Sequence, residues 1–229
     1  MEERDLKNSS VYQSKFGKKD RWSVLYVILT FLIVCMLAVR IYFAQNYFCV
    51  EVVGSSMCPT LESGDVLLVR YGDEAKRGDI IIVDVRPYKT DPEKKKLVKN
   101  EFKDDTNYLI KRLIAIEGDT VCCQDGKVLI RYADKEYGEN EWDYHPSDQY
   151  IKDGKNDDFS EYKVGEGEIF FLGDNRMVSQ DSRYREEDKP HLEQLYKMED
   201  ICGTVPDWAY ENMDWLQYVP GIYDPKRKK

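Results

Sequence analysis

Two side chains in this sequence, Ser56 and Lys111, have the types needed for nucleophilic attack on an acyl carbon without a histidine. Only His145 and His191 are present, both in polar segments, and no G-x-S-x-G nucleophile elbow occurs. A Ser-His-Asp triad is therefore disfavoured, and a serine activated here needs another base. Lysine can serve if burial brings its pKa down from about 10.4 toward neutrality. Lys111 interrupts Tyr108-Leu109-Ile110-Lys111-Arg112-Leu113-Ile114-Ala115-Ile116, where strand alternation puts it on one face with Leu109, Leu113 and Ala115. That apolar face would strip water from an ammonium. Ser56 lies in Gly54-Ser55-Ser56-Met57-Cys58-Pro59-Thr60-Leu61, between a glycine and a proline that can fix an exposed turn. Taken singly, a strand lysine is ordinarily solvated and a turn serine ordinarily bonds its own backbone, so neither residue alone carries the reading.

A third cluster, Gly173-Asp174-Asn175-Arg176-Met177-Val178-Ser179-Gln180-Asp181-Ser182-Arg183, follows the apolar run Ile169 to Leu172. Its acids, bases and hydroxyls read either as a solvated charged turn or as support for a site. In the second reading Asp174 and Asp181 hold arginines, and Ser179 donates a hydrogen bond that orients a neutral lysine.

Short β-branched or apolar runs must position these residues: Val50 to Val53, Val66 to Val69, Ile80 to Val85, Tyr108 to Ile116, Val128 to Tyr132 and Ile169 to Leu172. Gly64-Asp65, Gly78-Asp79, Gly118-Asp119, Gly126 and Gly173-Asp174 bound them, the rhythm of a mainly β fold. One short helix is expected around His191 to Met198. Pro87 to Asn107 reads as an exposed excursion and residues 133–167 as a smaller inserted lobe.

Ahead of this β-rich part, Trp22 to Val39 carries no charge, and apolar character resumes after Arg40 as far as Phe43. About 20 residues at 1.5 Å rise cross a ~30 Å hydrocarbon core, so residues 22–43 read as a transmembrane anchor in the lipid bilayer. Arg4, Lys7, Lys15, Lys18, Lys19 and Arg21 precede it, and after Arg40 no Lys or Arg appears until Arg70. By the positive-inside rule residues 1–21 form a cytoplasmic tail and residues 44–205 an extracytoplasmic catalytic domain. Residues 206–229 form an aromatic-rich C-terminal tail.

The 229 residues suffice for one domain plus an anchor, and the net charge of -9 opposes nucleic-acid binding. The six cysteines contain no C-x-x-C pair, so no metal site is expected, and their disulfide pairing stays open.

Taken in order, Gly54 to Leu61, Tyr108 to Asp119 and Gly173 to Arg183 resemble the bacterial type I signal peptidase family, Ser/Lys proteases, over nearly the whole chain. The resemblance implies a mainly β catalytic core with a smaller inserted lobe behind one transmembrane helix, with Ser56 as nucleophile and Lys111 as general base. It further implies that Ser179 supports the lysine and that Asp174, Arg176, Asp181, Arg183 and Arg112 structure the site. No cofactor is implied, and the implied partners are signal peptides of exported preproteins, cut after small-x-small motifs. Some members carry a hydroxyl residue two positions before the nucleophile; here Gly54 stands there. Two rival readings are another Ser/Lys peptidase with a dedicated substrate and a catalytically silent, membrane-tethered binding protein.

Overall fold

The computed structural model describes residues 21–72, 74–86, 108–145, 158–183, 196–211 and 213. The chain divides into two compact units, residues 1–45 and 46–229.

The described part of the first unit belongs to a single helix, α1, Arg21–Asn46. Its stretch Trp22–Asn46 is long and apolar enough to cross a membrane. Leu25, Phe31, Leu32, Val34 and Leu37 are all exposed on it. Apolar side chains exposed around such a helix suit a lipid environment. It runs three residues beyond Phe43, because Ala44 and Gln45 carry no charge or proline to stop it.

The second unit contains two antiparallel sheets and is mainly β. Its strands are β1 Tyr47–Glu51, β2 Val66–Tyr71, β3 Ile80–Asp84, β4 Tyr108–Ile116, β5 Thr120–Gln124, β6 Lys127–Arg131, β7 Asp143–Tyr144, β8 Phe159–Lys163, β9 Ile169–Leu172 and β10 Ile201–Thr204. A 3-10 turn, Met198–Asp200, precedes β10, and a five-residue helix, α2 Asp207–Glu211, follows it. The larger sheet has the order β1-β2-β10-β3-β4-β9, so the last strand in sequence inserts between β2 and β3. The smaller sheet has the order β7-β6-β5-β8.

Burial explains the composition of the strands. Ile80 to Val83 and Ile169 to Leu172 are buried throughout, since both faces of those strands are covered and neither face tolerates a polar residue. Along β3, Ile81 and Val83 join a cluster with Leu113, Phe171 and Ile201, while Ile80 and Ile82 turn to a second cluster with Met57, Leu61, Leu67 and Val69. In β9, Phe170 and Leu172 turn to a third cluster with Val121, Val128 and Ile130 from the smaller sheet. β9 thus joins the two cores. β6 buries Val128 and Ile130 while its other residues are partly or wholly exposed, the pattern of a strand with one wet face.

Several boundaries differ from the sequence reading. β1 begins at Tyr47 rather than Val50 and ends at Glu51, because the ladder with β2 pairs Tyr47 to Arg70 and Glu51 to Val66. Four strands, β5, β7, β8 and β10, carry too much polar or cysteine character to stand out as apolar runs. The smaller sheet starts before position 133, since the β5–β6 hairpin belongs to it. Residues 87–107 and most of the helix expected at 191–198 lie outside the described residues. Within the latter, Lys197 bridges to Glu168 and Met198 opens the 3-10 turn. Residues 207–211, read from sequence as part of a tail, form α2. Cys35, Cys49, Cys58, Cys122, Cys123 and Cys202 are all free thiols.

The passage from one sheet to the other turns on Asp119. Its fully buried carboxylate accepts from Arg77 Nε at 2.6 Å and Nη2 at 2.7 Å, and from the backbone N–H groups of Ile116 and Ala133 at 2.9 Å each. Gly118 before it has φ 83°, and a Cβ there would stand 2.9 Å from the Ala133 Cβ, so the turn requires glycine on both counts. Asp119→Ala would strand four donors, two on Arg77 and the backbone N–H groups of Ile116 and Ala133. It is expected to lower the stability of the catalytic unit by roughly 3 kcal/mol, read as a lower Tm or denaturant midpoint.

Candidate active site

β4 carries Lys111 and Arg112 side by side, and strand alternation sends them to opposite faces. Alternation holds through Leu113. The ladder with β9 then shifts between Leu113 and Ala115, and Ala115 joins Ile114 in the third cluster. The face shared by Leu109, Lys111 and Leu113 therefore does not continue to Ala115, as the spacing had suggested, because the irregularity changes which side the chain presents.

The nucleophile segment is held from beneath and beside. Cys58 N–H donates to the Ser55 carbonyl at 3.2 Å and Leu61 N–H to the Met57 carbonyl at 3.0 Å, closing a turn whose Met57 and Leu61 side chains are buried in the core. Gly54 enters the turn at φ 91°. The loop after β9 then docks on it. Asn175 N–H donates to the Ser56 carbonyl at 2.9 Å, and Asn175 Nδ2 donates to the Ser55 carbonyl at 3.0 Å. A Cβ at Gly173 would collide with the Ser179 side chain and the Ser56 carbonyl, so this close approach depends on glycine.

In this frame Lys111 Nζ donates to Ser56 Oγ at 2.9 Å. Lys111 is 4% exposed and Ser56 half-buried. Burial pulls the lysine pKa down to about 8, against the opposing fields of Asp181 and Asp174. Those carboxylates have their own cations. Arg112 Nε and Nη2 grip Asp174 at 2.8 and 2.6 Å, and Arg112 Nη1 donates to the Gly78 carbonyl at 2.7 Å. Arg183 Nε and Nη2 grip Asp181 at 2.8 and 3.0 Å. Arg183 Nη2 also reaches the Arg176 carbonyl at 2.8 Å, and Asp181 accepts from Gly173 N–H at 3.0 Å. Arg176 Nε donates to the Gly173 carbonyl at 3.0 Å. Forked pairs of this kind fix direction as well as distance.

The eight site residues expected from sequence thus gather in one place. Ser179 is buried there, but its hydroxyl has no hydrogen-bond partner, so the expected bond to the lysine is not formed. Sequence reasoning missed Asn175 and Thr60. Thr60 Oγ1 donates to Asp174 Oδ2 at 2.6 Å. Both stand inside the quoted segments, but nothing in their spacing distinguishes a hydrogen bond across the site from one to solvent. Among the described residues no group of three His, Cys, Asp or Glu side chains is arranged to hold a metal ion.

A half-buried serine hydroxyl in contact with a buried lysine amine on a mainly β scaffold suits a hydrolase, and the comparisons place the chain in a hydrolase family. The model of the family described as signal peptidase, peptidase S26, matches residues 21–207. A signal peptidase I of Bacillus licheniformis is 33% identical over 166 residues, covering 66% of this chain and 72% of that relative. A signal peptidase I T of Bacillus subtilis (strain 168) is 30% identical over 189 residues, covering 80% and 84%. A solved signal peptidase I from Enterococcus faecalis V583 aligns loosely, with TM-score 0.34 and 22% identity, over 58% of this chain and 97% of its own. This chain belongs to the signal peptidase family, peptidase S26, and is a serine endopeptidase of its bacterial type I branch.

The lysine also makes the fold's stability depend on pH. In the unfolded chain its amine keeps a proton to about 10.5, whereas the folded protein releases it near 8. Between these values the unfolded state binds more protons, so stability rises with pH. The penalty of the buried ammonium is fully present below pH 8 and relieved by about 10.5. Lys111→Met should therefore exceed the wild type in stability near pH 7, with the difference shrinking by roughly 3 kcal/mol by pH 10.5 in paired denaturant titrations.

Proposed function

We propose that Ser56 and Lys111 are the catalytic dyad of a membrane-anchored peptidase that removes signal peptides from exported proteins, cutting after small-x-small sequences. The observation that carries this reading is the 2.9 Å contact between Ser56 Oγ and an Nζ whose proton is loosened by burial. In its neutral form the amine accepts the Ser56 proton as Oγ attacks the scissile carbonyl. The resulting ammonium returns that proton to the departing amine, leaving an acyl-enzyme. Water, deprotonated by the same amine, then releases the acid product and regenerates the serine. The Ser56 backbone N–H is one donor for the oxyanion. Ser179, buried beside this pair with its hydroxyl unpaired, would orient the neutral lysine. The scheme uses no metal or cofactor.

The substrate would add as a strand. Among the described strands, β1 pairs only with β2, and the β9 ladder on β4 begins at Arg112, so no described strand pairs with Tyr108 to Lys111 on that side. The stretch of β4 that carries Lys111 suits addition of an extended peptide. Alternate side chains would then face the enzyme, so the residue at the cut and the one two before it are read together. The apolar helix α1 would anchor the enzyme with its N-terminus in the cytoplasm and the second unit outside, beside the signal peptides it receives.

Detergent-solubilised protein acting on a precursor with an Ala-x-Ala site tests the reading. Ser56→Ala and Lys111→Ala should each remove nearly all cleavage, and the double variant should lose little more, because the two residues act as a unit. With wild type, kcat/KM should climb through an acid limb near pH 8, where the lysine becomes neutral. Substantial turnover by Ser56→Ala, or efficient cleavage after Phe, would refute it.

A further inference from the structure

The nucleophile and the lysine sit on separate pieces of chain, and a chain of polar contacts runs between those pieces. Thr60, four residues after Ser56 in the same turn, donates its hydroxyl to Asp174 Oδ2 at 2.6 Å. The same oxygen accepts from Arg112 Nη2 at 2.6 Å, and Arg112 is the residue after Lys111 on β4. A single carboxylate oxygen therefore ties the serine's turn to the lysine's strand. Both contacts are short and charge-assisted, and Asp174 is fully buried, so no water competes for it. The turn between Ser56 and Thr60 is stiff, because its ends are closed by the Cys58–Ser55 and Leu61–Met57 backbone bonds. A shift at Thr60 is thus passed to Ser56. From its other side, Tyr210 of α2 donates its hydroxyl to the Thr60 carbonyl at 3.4 Å.

We propose that Thr60 is a positioning residue for cleavage, acting through the Asp174 oxygen it shares with Arg112 to hold Ser56 at reach of Lys111. This rests on those two residues being the catalytic pair. Asn175 does not duplicate the role. Its bonds to Ser55 and Ser56 stop at the loop after β9, whereas the Thr60 bond to Asp174, a residue of that same loop, continues through Arg112 to β4. The methyl group of Thr60 has no part in the link, so a hydroxyl alone should suffice at this position.

The test compares wild type, Thr60→Val, Thr60→Ala and Thr60→Ser on one precursor, with Tm measured for each. Thr60→Val and Thr60→Ala should lower kcat about 10- to 100-fold, the scale expected for misplacing reacting groups by up to ~1 Å, while KM changes less than about two-fold. Thr60→Ser should recover to within about three-fold of wild type. The pH profile supplies a readout that a purely structural role would not move. The charges around Lys111 are the carboxylates of Asp174 and Asp181, the guanidiniums of Arg112 and Arg183 that pair with them, and Arg176 at the Gly173 carbonyl. Without the Thr60 hydroxyl, Asp174 presents more of its negative charge to the lysine. The acid limb of kcat/KM should then move to higher pH in the Val and Ala proteins and stay in place in the Ser protein.

If Thr60→Val does not fold, Thr60→Ala, which adds no branched apolar group beside the carboxylate, decides. Wild-type kcat and an unmoved profile in a folded Val or Ala protein would overturn the proposal, as would equal losses in Thr60→Ser and Thr60→Val. Turnover by Ser56→Ala, measured alongside, would overturn the catalytic pair and this proposal with it, an outcome separate from any result at Thr60.

Discussion

On the proposed reading, everything at this site follows from one requirement, that a lysine buried beside two carboxylates must still be able to lose its proton. Desolvation pushes the proton off, but an unpaired carboxylate nearby would hold it on. Asp174 and Asp181 are prevented from doing so because each is already gripped by an arginine, Arg112 and Arg183 respectively. Their remaining attraction is visible as the opposing pull on Lys111. Burial is the largest cause of the lowered pKa, and the arginine pairs occupy the two carboxylates that oppose it. A carboxylate without its guanidinium would turn a base into an ion pair.

The rest of the scaffold supplies the geometry for this arrangement. β4 delivers Lys111 and Arg112 to opposite faces, and its irregular ladder with β9 allows the chain to leave the strand toward Glu117 and the Asp119 turn. β9 ends at Leu172, and the loop that follows brings the acids, Ser179 and Asn175 down onto the nucleophile turn. Gly173 is the point of closest approach, where any side chain would push the Ser56 backbone away from the loop. The contacts that join these segments to one another are distant in sequence. The Thr60–Asp174 bond spans 114 residues and the Lys111–Ser56 contact spans 55.

That separation also marks how far the sequence could be read. Ile169 to Leu172 stood out with its observed boundaries because a strand buried on both faces needs an unbroken apolar run, and Tyr108 to Ile116 because only Lys111 and Arg112 break its apolar character. The strands it hid are those whose partners supply the reason for their conformation. β5 contains Cys122, Cys123 and Gln124; β8 has only Phe159 and Tyr162 among polar residues, without strand alternation; β10 holds Gly203, where any Cβ would strike the Arg70 carbonyl and Val69. At the site, residue types announced Ser56, Lys111 and the paired acids and arginines. Asn175 and Thr60 stayed silent, since an amide or hydroxyl reveals its role only when its distant partner is placed. The hydroxyl of Ser179 shows the converse: its burial fits the expected role, while its bond to the lysine is absent.

The position of β10 has a consequence for how the enzyme comes into being. β1 and β2, which lead into and out of the serine's turn, lie on one side of it, and β3 and β4, which present the lysine, lie on the other. β10 comes last in sequence among the described strands, so the two halves of the sheet lack the strand between them until every other described strand has been made. On the proposed reading, a nascent chain would carry its serine and its lysine on two unjoined pieces of sheet until that strand is in place.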